Sequence, residues 1–140
     1  MRLILIILFI SILFSSCLKK IEEADNLNTN IFDKEYAGGC WFNVTDTYSY
    51  INGDGQTKIR IEAVLPESNM PGLKPSSVAI YCSVNDQPEL LLNVGTDDNG
   101  NYPFYYDAIP ESSNEYCLEA GLYLASEDST INRFVVCSQP

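Results

Sequence analysis

The sequence predicts an all-β domain, a two-sheet antiparallel sandwich of about seven strands that follows an N-terminal signal peptide. Short runs rich in Val, Ile, Tyr and Phe alternate with polar residues at a period of two, the spacing of a strand with one buried face. Turn residues punctuate these runs, as in Asn52-Gly53-Asp54-Gly55 and Asp97-Asp98-Asn99-Gly100-Asn101. No amphipathic helix of useful length and no internal repeat interrupts the pattern beyond the tether. At 140 residues the chain has room for one hydrophobic core.

Met1-Arg2 opens a short positive start, and the apolar run of about a dozen residues after it is too short for a comfortable membrane span. Residues 1–16 therefore read as an export signal. The run ends in Phe14-Ser15-Ser16-Cys17, which resembles the lipobox of bacterial lipoproteins, with Phe14 standing where leucine is usual. That resemblance implies that Cys17 becomes the lipidated first residue of the mature protein. It also implies a membrane partner reached through the N-terminal lipid, in the cell envelope, on the periplasmic side of the outer membrane or at the cell surface. Residues 17–30 are polar and mixed in charge, as expected of a flexible tether. Leu18 is not the aspartate that favours inner-membrane retention in enterobacterial lipoproteins, and Lys19-Lys20-Ile21-Glu22-Glu23 loosely resembles the surface-export signals of Bacteroidetes lipoproteins.

The domain is expected over residues 31–140. Ile31 to Gly39 reads as a lead-in that docks an aromatic or two and turns at Gly38-Gly39. Cys40-Trp41-Phe42-Asn43-Val44 is the first strand candidate, and Asn52 to Gly55 is a hairpin turn. Thr57 to Leu65 sets Lys58, Arg60 and Glu62 against Ile59, Ile61 and Ala63, a strand with one wet face. After the proline-rich loop Pro66 to Pro75, Ser77 to Val84 puts Val78, Ile80, Cys82 and Val84 on one face. Asn85 to Pro88 turns the chain into a short strand from Glu89 to Val94. Tyr102 to Ile109 is aromatic, and Pro103 gives it an edge position or marks its start. Tyr116 to Cys137 closes as a hairpin on its own cysteines. With Cys117 opposite Cys137, Leu118 faces Val136, Ala120 faces Phe134, and the symmetry point falls near Glu127, among turn residues.

Ile109-Pro110, a polar link and then Tyr116-Cys117-Leu118 resembles the fibronectin type III run in which an apolar residue and proline precede a tyrosine that opens the penultimate strand, here with a link about one residue longer. Val78 to Ser83 followed by Asn85-Asp86-Gln87-Pro88 is similar to the third strand and turn of fibronectin-like modules of Bacteroidetes surface proteins. The resemblance spans roughly residues 57–137. It implies an immunoglobulin-like or fibronectin type III-like sandwich and makes Tyr116 a tyrosine corner, its hydroxyl bonded to upstream backbone.

Composition narrows the chemistry. A net charge of −11 with no large basic cluster excludes a nucleic-acid partner, and the absence of histidine excludes Ser-His-Asp, Cys-His and His-based zinc sites. No catalytic residues, metal site or cofactor are expected. Besides Cys17 there are four cysteines, an even set suited to an oxidising compartment. The hairpin register selects Cys117 with Cys137, and elimination leaves Cys40 with Cys82. The two acidic turns offer oxygens to calcium but match hairpin turns better. Asp128-Ser129-Thr130 resembles a Bacteroidetes O-glycosylation acceptor, although an ordinary polar turn is the simpler account. Trp41, Phe42, Tyr48, Tyr50, Tyr102, Phe104, Tyr105 and Tyr106 contain the candidates for a stacking platform, with Phe104-Tyr105-Tyr106 foremost because alternation must send at least one ring to solvent. The expectation is a non-catalytic binding, adhesion or spacer module with an unknown protein or glycan partner. Two alternatives are a glycan-binding accessory of a polysaccharide uptake system and a small carboxylate-dependent hydrolase.

Overall fold

The turn at Asn52 shows how local chemistry sets the first pairing. Its side-chain oxygen accepts the N–H groups of Asp54 (3.1 Å) and Gln56 (2.9 Å), and Gly55 supplies the positive φ of 76°. The chain reverses there, so that β1 (Asn43–Ile51) pairs with β2 (Thr57–Leu65) and Tyr48 lies opposite Arg60. The computed structural model describes residues 29–140 apart from 71 and 73. The signal segment, Cys17 and most of the tether fall outside the described residues.

Five more strands follow: β3 (Ser77–Val84), β4 (Leu90–Gly95), β5 (Tyr102–Ala108), β6 (Tyr116–Leu124) and β7 (Ser129–Ser138). They form two antiparallel sheets, β1-β2-β5 and β4-β3-β6-β7, as the sequence predicts. The core lies between them, and strand alternation builds it. β2 buries Ile59, Ile61, Ala63 and Leu65, and β3 buries Val78, Ile80, Cys82 and Val84. β5 buries Tyr102, Phe104, Tyr106 and Ala108, and β6 buries Tyr116, Leu118, Ala120 and Leu122. Each large aliphatic or aromatic side chain so buried is worth roughly 1.5–3 kcal/mol against exposure. The buried tyrosines carry their hydroxyls to the backbone. Tyr102 donates to the Pro75 carbonyl (2.6 Å), Tyr106 donates to the Pro88 carbonyl (2.7 Å), and Tyr116 accepts the Glu111 N–H (3.1 Å).

The first strand begins later than the sequence suggests. Trp41 and Phe42 are both buried to within 1 % of full enclosure, which two consecutive residues of a strand with one face in solvent cannot be, because their side chains point to opposite faces. They precede β1 and plug one end of the core beside Phe104, with ring centroids 6.4 and 5.8 Å from it. Trp41 donates its indole N–H to the Asn132 carbonyl at 2.7 Å, and the Asn132 amide donates to the carbonyls of Ile31 and Asp33, each at 2.7 Å. Asn132 can do this because β7 carries a bulge there. Cys117 pairs with Cys137, Leu118 with Val136 and Ala120 with Phe134, in the predicted register; beyond Ala120 the register shifts and Leu122 pairs with Ile131. Asn132 takes φ 51° at the shift, and Gly121 faces it because a Cβ there would lie 2.5 Å from Thr130 Cγ2 and 2.7 Å from Arg133 Cγ.

Cys117 and Cys137 are joined by a disulfide. The expected Cys40–Cys82 bond is corrected: both thiols are free. Cys82 points inward from β3 and is 1 % exposed, whereas Cys40 sits outside the sandwich on the segment leading to Trp41, its Sγ 3.2 Å from the Phe42 carbonyl. Trp41 and Phe42 enter the core in its place. Burial, with a further push from the Glu89 charge, raises the Cys82 thiol to about 12, so it stays protonated and inert. A thiol reagent is therefore expected to label Cys40 in the folded Cys17→Ala chain and Cys82 only on unfolding. Equal protection of both would restore the bond.

Candidate functional site

The outer face of the three-stranded sheet gathers the side chains that the wet alternation of β2 turns away from the core. Arg60, in the middle, forms a bidentate pair with Asp107 across β2 and β5, Nε to Oδ1 at 2.8 Å and one terminal nitrogen to Oδ2 at 2.9 Å. The guanidinium carbon lies 4.1 Å from the Tyr105 ring centroid and 4.9 Å from that of Tyr50, with a hydrogen bond to the Tyr50 hydroxyl at 3.3 Å. Tyr48 stands beside Tyr50, their centroids 6.3 Å apart, and donates its hydroxyl to Glu62 at 2.9 Å. Three rings are thus held around one fixed cation. Arg60 needs this register: Tyr48 lies opposite it on β1, and Asp107 opposite it on β5.

The electrostatics follow from those contacts. Hydrogen bonding to Arg60 holds the Asp107 carboxyl below the usual carboxylate range, and Asp107 in turn raises the guanidinium. The bond to Glu62 raises the Tyr48 phenol, and loss of solvent raises that of Tyr50. A carboxylate whose folded pKa is depressed stabilises the fold above its unfolded pKa, near 4, and loses that contribution as pH falls through the folded value. Asp107→Asn is therefore expected to cost about 1 kcal/mol at pH 7 and progressively less below about pH 4. Urea titrations of both proteins across that range check it, and a difference that grows in acid would contradict it.

Within Phe104-Tyr105-Tyr106 only Tyr105 reaches solvent, at 51 % exposure, while Phe104 and Tyr106 face the core at 4 % each. Tyr48 and Tyr50 complete the face with Tyr105. Their position was readable from the Asn52–Gly55 turn, which aligns them with the polar side of β2. The half-buried ring pairs on the outer faces are not coplanar: the planes meet at 57° for Tyr48 with Tyr50, and at 87° for Tyr81 with Tyr123 on the other sheet. A flat stacking surface for a sugar ring is not what they make.

The acidic turns are spent on backbone. Asp97 Oδ1 accepts the N–H groups of Asn99 and Asn101, at 2.8 and 2.9 Å, as Asn52 does in the first hairpin. Among the described residues no group of three or more Asp, Glu, Cys or His side chains is placed to hold a metal ion. The Asp128 carboxylate accepts the Tyr123 hydroxyl at 2.7 Å, and the Ser129 hydroxyl oxygen is enclosed. At the end of the sandwich, Gln87 bonds both the N–H and the carbonyl of Ile109 (2.8 and 2.9 Å), and Gln87 and Asn85 each donate to Glu111 at 2.9 Å. Those bonds, Gln87 first, lower the Glu111 carboxyl and tie the β3–β4 turn to the β5–β6 link. Compared with protein-family models and with characterised proteins, the sequence matches none, and the reading of this face rests on its geometry.

Proposed function

We propose that this chain is a lipid-anchored cell-envelope protein of a Bacteroidetes-type bacterium whose fibronectin type III-like sandwich is a non-catalytic binding or adhesion module, engaging a protein through the Tyr48, Tyr50, Arg60 and Tyr105 face. The observation that carries it is that arrangement: tyrosine and arginine are the residues that dominate protein–protein hot spots, and here they are ordered before any partner arrives. Supporting the family reading, β4 pairs with β3 rather than β5, and the Tyr116 hydroxyl reaches backbone five residues upstream. Supporting the anchor, Cys17 closes an apolar run and precedes a polar segment. The tilt of the outer-face ring pairs argues for a protein over a polysaccharide. Asp107, fixed as an anion by Arg60, is the reverse of the raised acid that a carboxylate hydrolase needs.

Two measurements test the reading. Intact mass after expression in a lipoprotein-processing host is expected to show a chain beginning at an acylated Cys17, and cleavage elsewhere would overturn the anchor. Binding to the native envelope is expected to fall at least about tenfold in Arg60→Ala, the loss typical of a hot-spot arginine. An unchanged affinity in that folded variant would overturn the face.

A further inference from the structure

The two seams between the sheets differ. Along one, Thr47 of β1 bonds Ser138 of β7 at 2.7 Å, and Phe134 and Val136 pack beneath. Along the other, β4 and β5 border a groove of about 450 Å³ whose walls include Leu90, Leu92, Phe104 and Tyr105. The four edge strands are also treated differently. β1 carries a bulge between Val44 and Asp46, β7 carries the Asn132 bulge, and β5 carries Pro103 near its start and Gln87 clamped on Ile109 at its end. β4 has none of these devices. Its pairing with β3 is regular from Leu90 to Gly95, it holds no charged residue and no proline, and Leu90 and Leu91 are 45 % and 49 % exposed. An edge with free backbone groups, apolar side chains and an apolar groove beside it is a template for one more strand.

Charge decides whose strand. The three cations and three acids before Thr29 cancel, so the whole charge of −11 lies in the domain, where Lys34, Arg60, Lys74 and Arg133 are already ion-paired. Acids flank β4 at both ends, Asp86 and the Arg133-paired Glu89 before it and Asp97 and Asp98 after it. A second copy pairing antiparallel about a two-fold axis would bring the Asp86 and Glu89 end of one molecule toward Asp97 and Asp98 of the other, three acids beyond the one that Arg133 pairs, which is repulsive. We infer that the β4 edge and its groove receive an extended segment of a different protein, adding as an eighth strand with apolar side chains in the groove and lysine or arginine at its flanks. This rests on the reading of the chain as a binding module, but not on the Tyr48 side of the tyrosine–arginine face.

The test uses the mature chain and three blocked decapeptides: valine alternating with threonine between paired lysines, the same peptide with a central proline, and the same peptide with glutamates for the lysines. The lysine-flanked peptide is expected to bind and to slow amide exchange along β4. The proline and glutamate peptides should bind at least about tenfold more weakly at low salt. Leu90→Lys is expected to weaken the first peptide by a similar factor; should that variant unfold, the exchange map on the wild-type chain decides. Tyr123→Ala, on the outer face of the four-stranded sheet and in neither site, is expected to leave peptide affinity unchanged, and because the peptide is read on β4 and envelope binding on Arg60, failure here does not touch the hot-spot reading. Equal binding of all three peptides, no binding up to about 1 mM, protection on β1 or β7 instead, or a dimer joined β4 to β4 would each overturn the inference.

Discussion

Replacing Trp41 by alanine is expected to lower the unfolding free energy by about 4 kcal/mol. Trp41 is fully enclosed, and its ring packs on Phe42 with centroids 4.9 Å apart. Alanine would leave a cavity between the sheets. It would also strip the Asn132 carbonyl of its indole partner and so loosen the anchor that ties the lead-in segment to β7. Against a total stability of about 5–15 kcal/mol for a domain of this size, such a loss is visible as a drop in Tm of about 15 °C. Chemical denaturation gives the free energy directly. A cost below about 1 kcal/mol would mean that the tryptophan is not part of the core.

Removing the Cys117–Cys137 bridge, by the paired serine variant or by reduction, is expected to cost about 3 kcal/mol. The bond closes a loop with a sequence separation of 20, and most of its effect lies in restricting the unfolded chain. Register should survive its loss, because Leu118 and Ala120 still alternate into the core opposite Val136 and Phe134, and a slip by one residue would turn them outward. The expected result is therefore a destabilised domain with an unchanged strand pattern, checked by urea denaturation alongside amide exchange. Scrambled pairing in β6 and β7 would show that the bond, not the apolar pattern, sets the register.

The strands were legible where one face is wet and the other dry. Lys58, Arg60 and Glu62 alternating with Ile59, Ile61 and Ala63 placed β2 over the span the structure gives it, and the Cys117–Cys137 register was readable because the apolar alternation and the turn residues agree on one symmetry point. What stayed hidden depends on contacts far apart in sequence. Trp41 and Phe42 look like strand residues by propensity, but their place is set by Asn132, 91 residues on from Trp41, and by the bulge that lets Asn132 turn its amide toward Ile31. The Cys40–Cys82 pairing failed for the same reason: elimination counts cysteines, and it cannot see that two aromatic residues take the way inward beside Cys40. The binding face was half visible. Tyr105 stood out among its neighbours, whereas Tyr48 and Tyr50 required the register of the first hairpin, and the pairing of Arg60 with Asp107 required knowing that β5 lies beside β2.

The proposed docking surface is the outer face of the three-stranded sheet. The most direct measurement places a photo-reactive phenylalanine analogue at position 50 and, separately, at position 123 on the opposite outer face, and irradiates each anchored protein in its native envelope. A discrete adduct at position 50 that disappears with Arg60→Ala, and no matching adduct at position 123, is the predicted result. Equal labelling at both positions, or none at position 50, would contradict it.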